Sequence, residues 1–180
     1  MSAAAQMNRF LADVEKRAFR MAQVAVKDAD EALDIVQDTM FTLVRKYANK
    51  PNDEWRPLFY RILQNRITDW HRRNTVRSRI FAFFTPTTGE GETFDPIEQV
   101  PDRASAAPDI RAELDGAAEE LVVAVGRLPT RQQQAFLLRA LEGLSVAETA
   151  RAMKCSDGSV KTHYSRAVHS LREVLKEHWS

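Results

Sequence analysis

A chain of 180 residues is long enough for one ordinary domain, or for two small ones with a connector. Hydrophobic residues make up 44% and glycines number only 6, which excludes a disordered chain and points to a helical globular one. A single cysteine excludes an internal disulfide and a cysteine-based metal cluster and suits a reducing cytoplasm. No 18-residue apolar run is long enough to span a bilayer, and the N-terminal "MSAAAQMNRFLADVEKRAFR" carries charge too early for a signal peptide.

The net charge of +1 is a cancellation of blocks. Five acids and no base lie between Asp28 and Asp38. Seven arginines against one aspartate follow from Arg56 to Arg79. Eight acids against two arginines then run from Thr85 to Asp115. Blocks of this kind direct different partners, or different parts of one partner, to different surfaces.

In chain order, residues 7–49 carry two helical stripes: Phe10, Val14, Ala18 and Met21, then Ala32, Ile35, Val36, Met40, Leu43 and Val44. "NKPNDEWRP" interrupts them. A third helix is expected from Arg56 to about Arg73, with Phe59, Ile62, Leu63, Ile67 and Trp70 on one face and Arg61, Gln64, Asn65, Thr68 and Arg72 on the other. Residues 75–110 are rich in proline and acids and read as an extended linker, with an anomalous apolar "IFAFF" at its start. A connector this long favours two domains.

Helical signals resume near residue 111, with Leu114, Ala118, Leu121, Val122 and Val125 on one stripe. "LPTRQQQAFLLRALEGLS" opens a helix at Pro and Thr and stops it at Gly143. "SVAETARAM" carries the capping-box spacing Ser145 to Glu148. A turn containing Gly158 leads into a last helix, with Ser156 as its cap. There Val160, Tyr164, Ala167, Val168, Leu171, Val174 and Leu175 form an apolar stripe, opposite Lys161, Thr162, Ser165, Arg166, His169 and Arg172. A short helix, a tight turn and a longer helix are the layout of a helix-turn-helix, whose second helix enters the DNA major groove. Lys161 and Arg166 offer cations for phosphates or guanine edges, and Thr162 and Ser165 are short enough for close approach. A helix pair with a merely solvated polar face reads the same locally.

The wider sequence adds to this. "DEALDIVQDTMFTLVRKY" resembles the core-binding segment of bacterial RNA polymerase sigma factors of the sigma-70 family, extracytoplasmic-function (ECF) group. "LFYRILQNRITDWHRR" resembles their promoter-melting and upstream minus-ten segment, and residues 128–172 resemble their minus-thirty-five-reading domain. The three segments stand in order along nearly the whole chain. The fold the resemblance implies is all-α: an N-terminal helical bundle over 1–76, a flexible acidic linker over 77–112 and a C-terminal helix-turn-helix domain over 113–180. The implied function is transcription initiation: binding core RNA polymerase, directing it to promoter DNA and helping to melt the minus-ten region. An anti-sigma factor is the further partner, and the protein would be cytoplasmic, neither inserted in a membrane nor dependent on a cofactor or metal.

Residue by residue, the resemblance assigns Asp34, Gln37, Asp38 and Thr39 to docking on a helical coiled coil of the largest polymerase subunit. It assigns Arg61, Asn65, Arg66, Arg72 and Arg73 to the minus-ten element, with Asn65 near a pocket for a flipped base, and Lys161, Thr162, Ser165 and Arg166 to minus-thirty-five DNA. Asp34 and Asp38 are like charges at i, i+4, a repulsion that a basic partner would relieve. Arginine suits phosphate because its fork is planar and permanently charged, and an amide can both donate to and accept from a base edge. The linker would occupy basic polymerase channels; a solvated tether has the same composition.

The chain departs from the family pattern at Leu58, where a tryptophan is usual, at Met40, where a phenylalanine is usual, and at Gln133, which replaces a common arginine and puts one possible phosphate contact in doubt. Trp55 and Trp70 could stack on bases, but Trp70 lies on an apolar stripe and reads as core. Cys155 reads as a packed thiol. No Ser/His/Asp set, phosphate loop or metal spacing marks an enzyme. The alternative is a one-component helix-turn-helix regulator with an N-terminal helical sensor or dimerisation domain.

Overall fold

The structure is a computed structural model and describes residues 1–84 and 116–178. Within them every regular element is helical. Helix α1 spans Ala3–Val26. Ser2 opens it by accepting the amide of Ala5 at 3.2 Å, and Lys27, left-handed at φ 58°, closes it. Its stripe of Met7, Leu11, Val14, Ala18, Met21 and Ala25 is buried. Helix α2, Ala29–Tyr47, is capped by Asp28, whose side chain accepts the Glu31 amide at 3.0 Å. Acids stand in its first turn and Arg45 and Lys46 in its last, so both ends complement the helix dipole.

Helix α3 runs over Asn52–Phe84, 33 residues and about 50 Å at 1.5 Å per residue. This corrects two expectations. The helix begins inside the segment read as a break, because Pro57 sits near the N-terminus, where one carbonyl alone, that of Asp53, loses its donor. It also continues through 77–84, which were assigned to the linker. "IFAFF" has no polar face to alternate with, so its helical period was invisible. The rest of the expected linker, with Leu114, lies outside the described residues.

The C-terminal half holds α4 (Gly116–Gly126), α5 (Thr130–Phe136), a wide π turn (Leu137–Leu141), α6 (Val146–Met153) and α7 (Asp157–His178). The capping box is formed: Ser145 Oγ accepts the Glu148 amide at 3.1 Å and Glu148 accepts the Ser145 amide at 3.2 Å. Gly143 ends the π turn with φ 71°, a conformation that favours glycine. Ser156 caps α7, accepting the Ser159 amide at 3.1 Å. The left-handed residue of the turn is Lys154, φ 53°, and Gly158 lies inside α7, so the turn does not depend on that glycine.

The N-terminal helices pack around Val14, Met21, Val36, Leu43, Phe59, Tyr60 and Leu63, and the C-terminal ones around Leu138, Leu144, Val160 and Leu171, all buried. The two halves touch: α6 lies on α3 and α4 on α1, so the buried apolar side chains form one continuous cluster.

Candidate nucleic-acid interface

Three surfaces carry the residues singled out from the sequence. On α2, Asp34, Gln37 and Asp38 are exposed. Thr39 is not: it is fully buried and its hydroxyl donates to the Ile35 carbonyl at 2.7 Å, so its side chain supports the helix from within rather than facing a partner. The sequence reading missed the apolar part of this face. Leu33, Phe41 and Val44 are exposed, Phe41 to 69%, beside the acids. Val44 had been placed on the core stripe. Leu33 and Phe41 fall off that stripe, and that was the signal available: large apolar side chains outside the buried period of an otherwise regular helix.

On α3, Arg61, Asn65, Arg72 and Arg73 are exposed, opposite the buried row Tyr60, Leu63, Gln64 and Ile67. Arg66 is only partly exposed. It donates to Thr42 Oγ1 at 2.9 Å and reaches Asp38 at 3.7 Å, so it ties α3 to the acidic face of α2. Trp55 cannot stack on a base: it is buried, and its indole donates to the Tyr47 carbonyl at 3.1 Å. Trp70 is partly buried against the core. Past Arg73 the helix bears Arg77 and Arg79 with exposed Val76, Ile80, Phe81, Phe83 and Phe84.

On α7, Val160, Ala167 and Leu171 are buried against α5 and α6, while Lys161, Thr162, Ser165 and Arg166 all face outward. Tyr164 anchors the helix. Its ring stacks on Phe136 at 6.2 Å, and the Arg139 guanidinium lies over it at 5.7 Å. His163 borders the exposed face. Desolvation first, then the nearby Arg131 and Arg166 charges, hold its pKa below the ordinary 6.5. Arg131 therefore stands close to the same face, which was not apparent from its place in α5. Gln133 is buried, and its amide donates to the Val125 carbonyl at 3.1 Å. It joins α5 to α4 and is not positioned to touch phosphate. Cys155 is half-buried in the turn.

Among the described residues no His, Cys, Asp and Glu cluster could hold a metal ion, and no helix is long and apolar enough to cross a membrane.

Residues 7–77 match the family model for sigma-70 region 2, and residues 118–171 match that for sigma-70 region 4. The chain is 31% identical over 151 residues to the ECF RNA polymerase sigma factor BldN of Streptomyces coelicolor, covering 81% of this chain and 51% of that protein. It is 27% identical over 157 residues to the ECF RNA polymerase sigma factor SigX of Bacillus subtilis, covering 84% of this chain and 76% of SigX. The chain thus spans about half the length of BldN and three quarters of SigX. Its fold resembles that of the sigma factor RpoE in a complex with the anti-sigma factor NepR from Bartonella quintana, with TM-score 0.63 at 23% identity over 93% of this chain and 97% of that one. It also resembles CnrH in a complex with the cytosolic domain of CnrY, with TM-score 0.64 at 20% identity over 97% of this chain and 95% of that one. With both region models matched in order, and relatives of one kind aligned across the intervening stretch, the chain belongs to the sigma-70 family of bacterial RNA polymerase sigma factors, in the extracytoplasmic-function group.

Proposed function

We propose that this protein is a dissociable transcription-initiation subunit of the cytoplasm. It binds core RNA polymerase, carries it to promoters with their own minus-ten and minus-thirty-five elements, and performs no chemistry itself. The observation that carries this reading is the separation of three exposed surfaces of different character on one scaffold: acidic and apolar on α2, arginine and asparagine on α3, short polar and cationic on α7.

Each surface suits a different target. The acids Asp34 and Asp38, with Gln37 and the exposed Phe41, fit a basic helical partner and give the polymerase-docking face. Arg61, Asn65, Arg72 and Arg73 suit the minus-ten strand, with arginines on phosphate and the Asn65 amide on an extruded base. Unstacking a base costs a few kcal/mol, which the pocket must return in contacts. Arg66 serves this strand only after leaving Thr42 and Asp38. Lys161, Thr162, Ser165 and Arg166 suit the major groove at the minus-thirty-five element. An anti-sigma protein is the remaining partner, one that withholds the factor from polymerase.

The test mixes the chain with core polymerase and follows the complex by gel filtration. The expected outcome is co-elution, lost or weakened when Asp34 and Asp38 are both changed to Lys while the helical circular dichroism is kept. A chain that ignores polymerase and binds duplex DNA alone would instead be a one-component regulator, and the reading would fall.

A further inference from the structure

Two exposed surfaces of the chain match in pattern and are opposite in charge. The first is the outer end of α3. Val76, Ile80, Phe83 and Phe84 recur there at i, i+4, i+7 and i+8, a single helical stripe, and each is more than half exposed. The Phe83 and Phe84 rings meet edge to face at 5.8 Å. Arg72 and Arg79 border the stripe on one side, Arg73 and Arg77 on the other, and the sequence from Trp70 to Phe84 holds no acid. Asp69 approaches Arg72 to 3.9 Å from just before it. The second surface is the outer face of α2. Leu33, Gln37, Phe41 and Val44 form a stripe at the same helical spacing, and Asp30, Asp34 and Asp38 run alongside it, all exposed. Apolar stripes exposed to this degree mark interaction surfaces.

We infer that these surfaces are the two sides of a contact between copies of this chain, the α3 end of each lying on the α2 face of the other. One chain cannot make the contact with itself. Arg66 donates to Thr42 Oγ1 at 2.9 Å and so fixes α2 against the middle of α3. Phe84 stands about 27 Å further along the helix at 1.5 Å per residue, and an unbroken helix cannot fold back onto its own neighbour. A second copy carries both surfaces, so a twofold pair satisfies each of them and closes. The area suffices. Phe41, Phe83 and Phe84 offer about 150 Å² of ring surface apiece, on the order of 900 Å² for the pair. Leu33, Val44, Val76 and Ile80 carry the contact past the roughly 1,200 Å² at which specific interfaces begin.

Charge sets the register. The acids of α2 occupy its N-terminal half, while Arg45 and Lys46 stand in its last turn, so the arginines of the α3 end are drawn to the first and repelled by the second. The pairing has a consequence for polymerase. It covers Asp34, Gln37, Asp38 and Phe41, the face assigned above to docking, so a second copy and core polymerase compete for one surface. The paired form is a concentration-dependent reserve from which polymerase draws monomers. This consequence rests on the reading of the chain as a sigma factor; the pairing does not.

Sedimentation velocity of the full chain over a concentration series should show monomer passing to dimer, at higher concentration when salt is added. Two charge-reversed variants then locate the contact. Arg77→Glu with Arg79→Glu makes an α3 end that repels the α2 face, and Asp30→Lys with Asp34→Lys makes an α2 face that repels the α3 end. Each variant alone should raise the dimer dissociation constant at least about tenfold, with helical circular dichroism unchanged. Mixed in equal amounts the two should pair again, because reversed end meets reversed face and native end meets native face in one heterodimer. Core polymerase added to the unmutated dimer should convert it to one-to-one complexes. A chain that stays monomeric throughout the series overturns the pairing, as do variants that dimerise undiminished or a mixture that fails to pair. If the unmutated chain is monomeric and the Arg77, Arg79 variant loses promoter affinity as holoenzyme, the occupant of the α3 end is DNA instead. A dimer that persists on polymerase overturns the competition. A chain that dimerises but ignores polymerase removes the transcription reading and leaves the pairing standing.

Discussion

Gln133 and Asn65 show how much a single amide's surroundings decide. Both are amides on helices rich in polar residues, and sequence position alone makes either a candidate for touching nucleic acid. Asn65 is exposed on the arginine-bearing face of α3, whereas Gln133 is buried and bonded to the Val125 carbonyl. Asn65→Ala should therefore slow open-complex formation on a duplex promoter and matter much less on a template with a pre-melted bubble; rates on the two templates check this. Gln133→Arg, despite placing a cation on this helix, should not add affinity for DNA. It should bury an unpaired cation and destabilise the protein by at least about 2 kcal/mol, read from urea unfolding. Thr39 makes the same point from the other side: it is a neighbour of the exposed acid Asp38 in the sequence, but it is buried and its hydroxyl donates to the Ile35 carbonyl.

At the scale of elements, capping and spacing explain why the helix-turn-helix was legible in the sequence. Ser145 and Glu148 close their box reciprocally, and Ser156 opens α7. Ser145→Ala should cost about 1 kcal/mol of stability, measured by thermal melting. The cap fixes where α6 starts and the turn fixes the angle of α7, so the outward set Lys161, Thr162, Ser165 and Arg166 follows from the buried period of Val160, Ala167 and Leu171. If Arg166 reads base edges, Arg166→Ala should cost roughly 1–3 kcal/mol and relax preference at one or two base pairs. If Lys161 meets phosphate, Lys161→Ala should weaken all sequences alike and lower the salt slope by about one. Holoenzyme binding to a promoter library at several salt concentrations separates the two.

For the whole molecule, stability should depend on pH through His71 on α3. Burial first, and the Lys27 charge second, lower its pKa from the ordinary 6.5. The unfolded chain then takes up the proton at a higher pH than the folded one. Folding stability is therefore greatest above about 6.5 and falls as the pH drops from there toward the folded value. Replacing His71 with Gln should flatten that fall, seen as a smaller difference between unfolding free energies at pH 7.5 and pH 5.5 (both about one unit from the ordinary value). Wild-type dependence that survives in the variant would assign it to other groups.

By itself the sequence determined the helical class, the three charge blocks, the caps, the position of the helix-turn-helix and the resemblance that the family comparisons bear out. All of these are local: they depend on spacing along one helix, on side chains that bond their own backbone, or on motifs read in order. The tertiary structure decided what depends on neighbours distant in the chain. It buried Thr39, Trp55 and Gln133, exposed Phe41 and Val44, tied Arg66 to Asp38, and carried α3 on to Phe84. Above all it brought Glu142 against Arg17 and Arg56, which lie 125 and 86 residues away along the chain. No periodicity encodes such a meeting, because a carboxylate after a helix and two arginines on other helices look like solvated surface until packing removes the water between them.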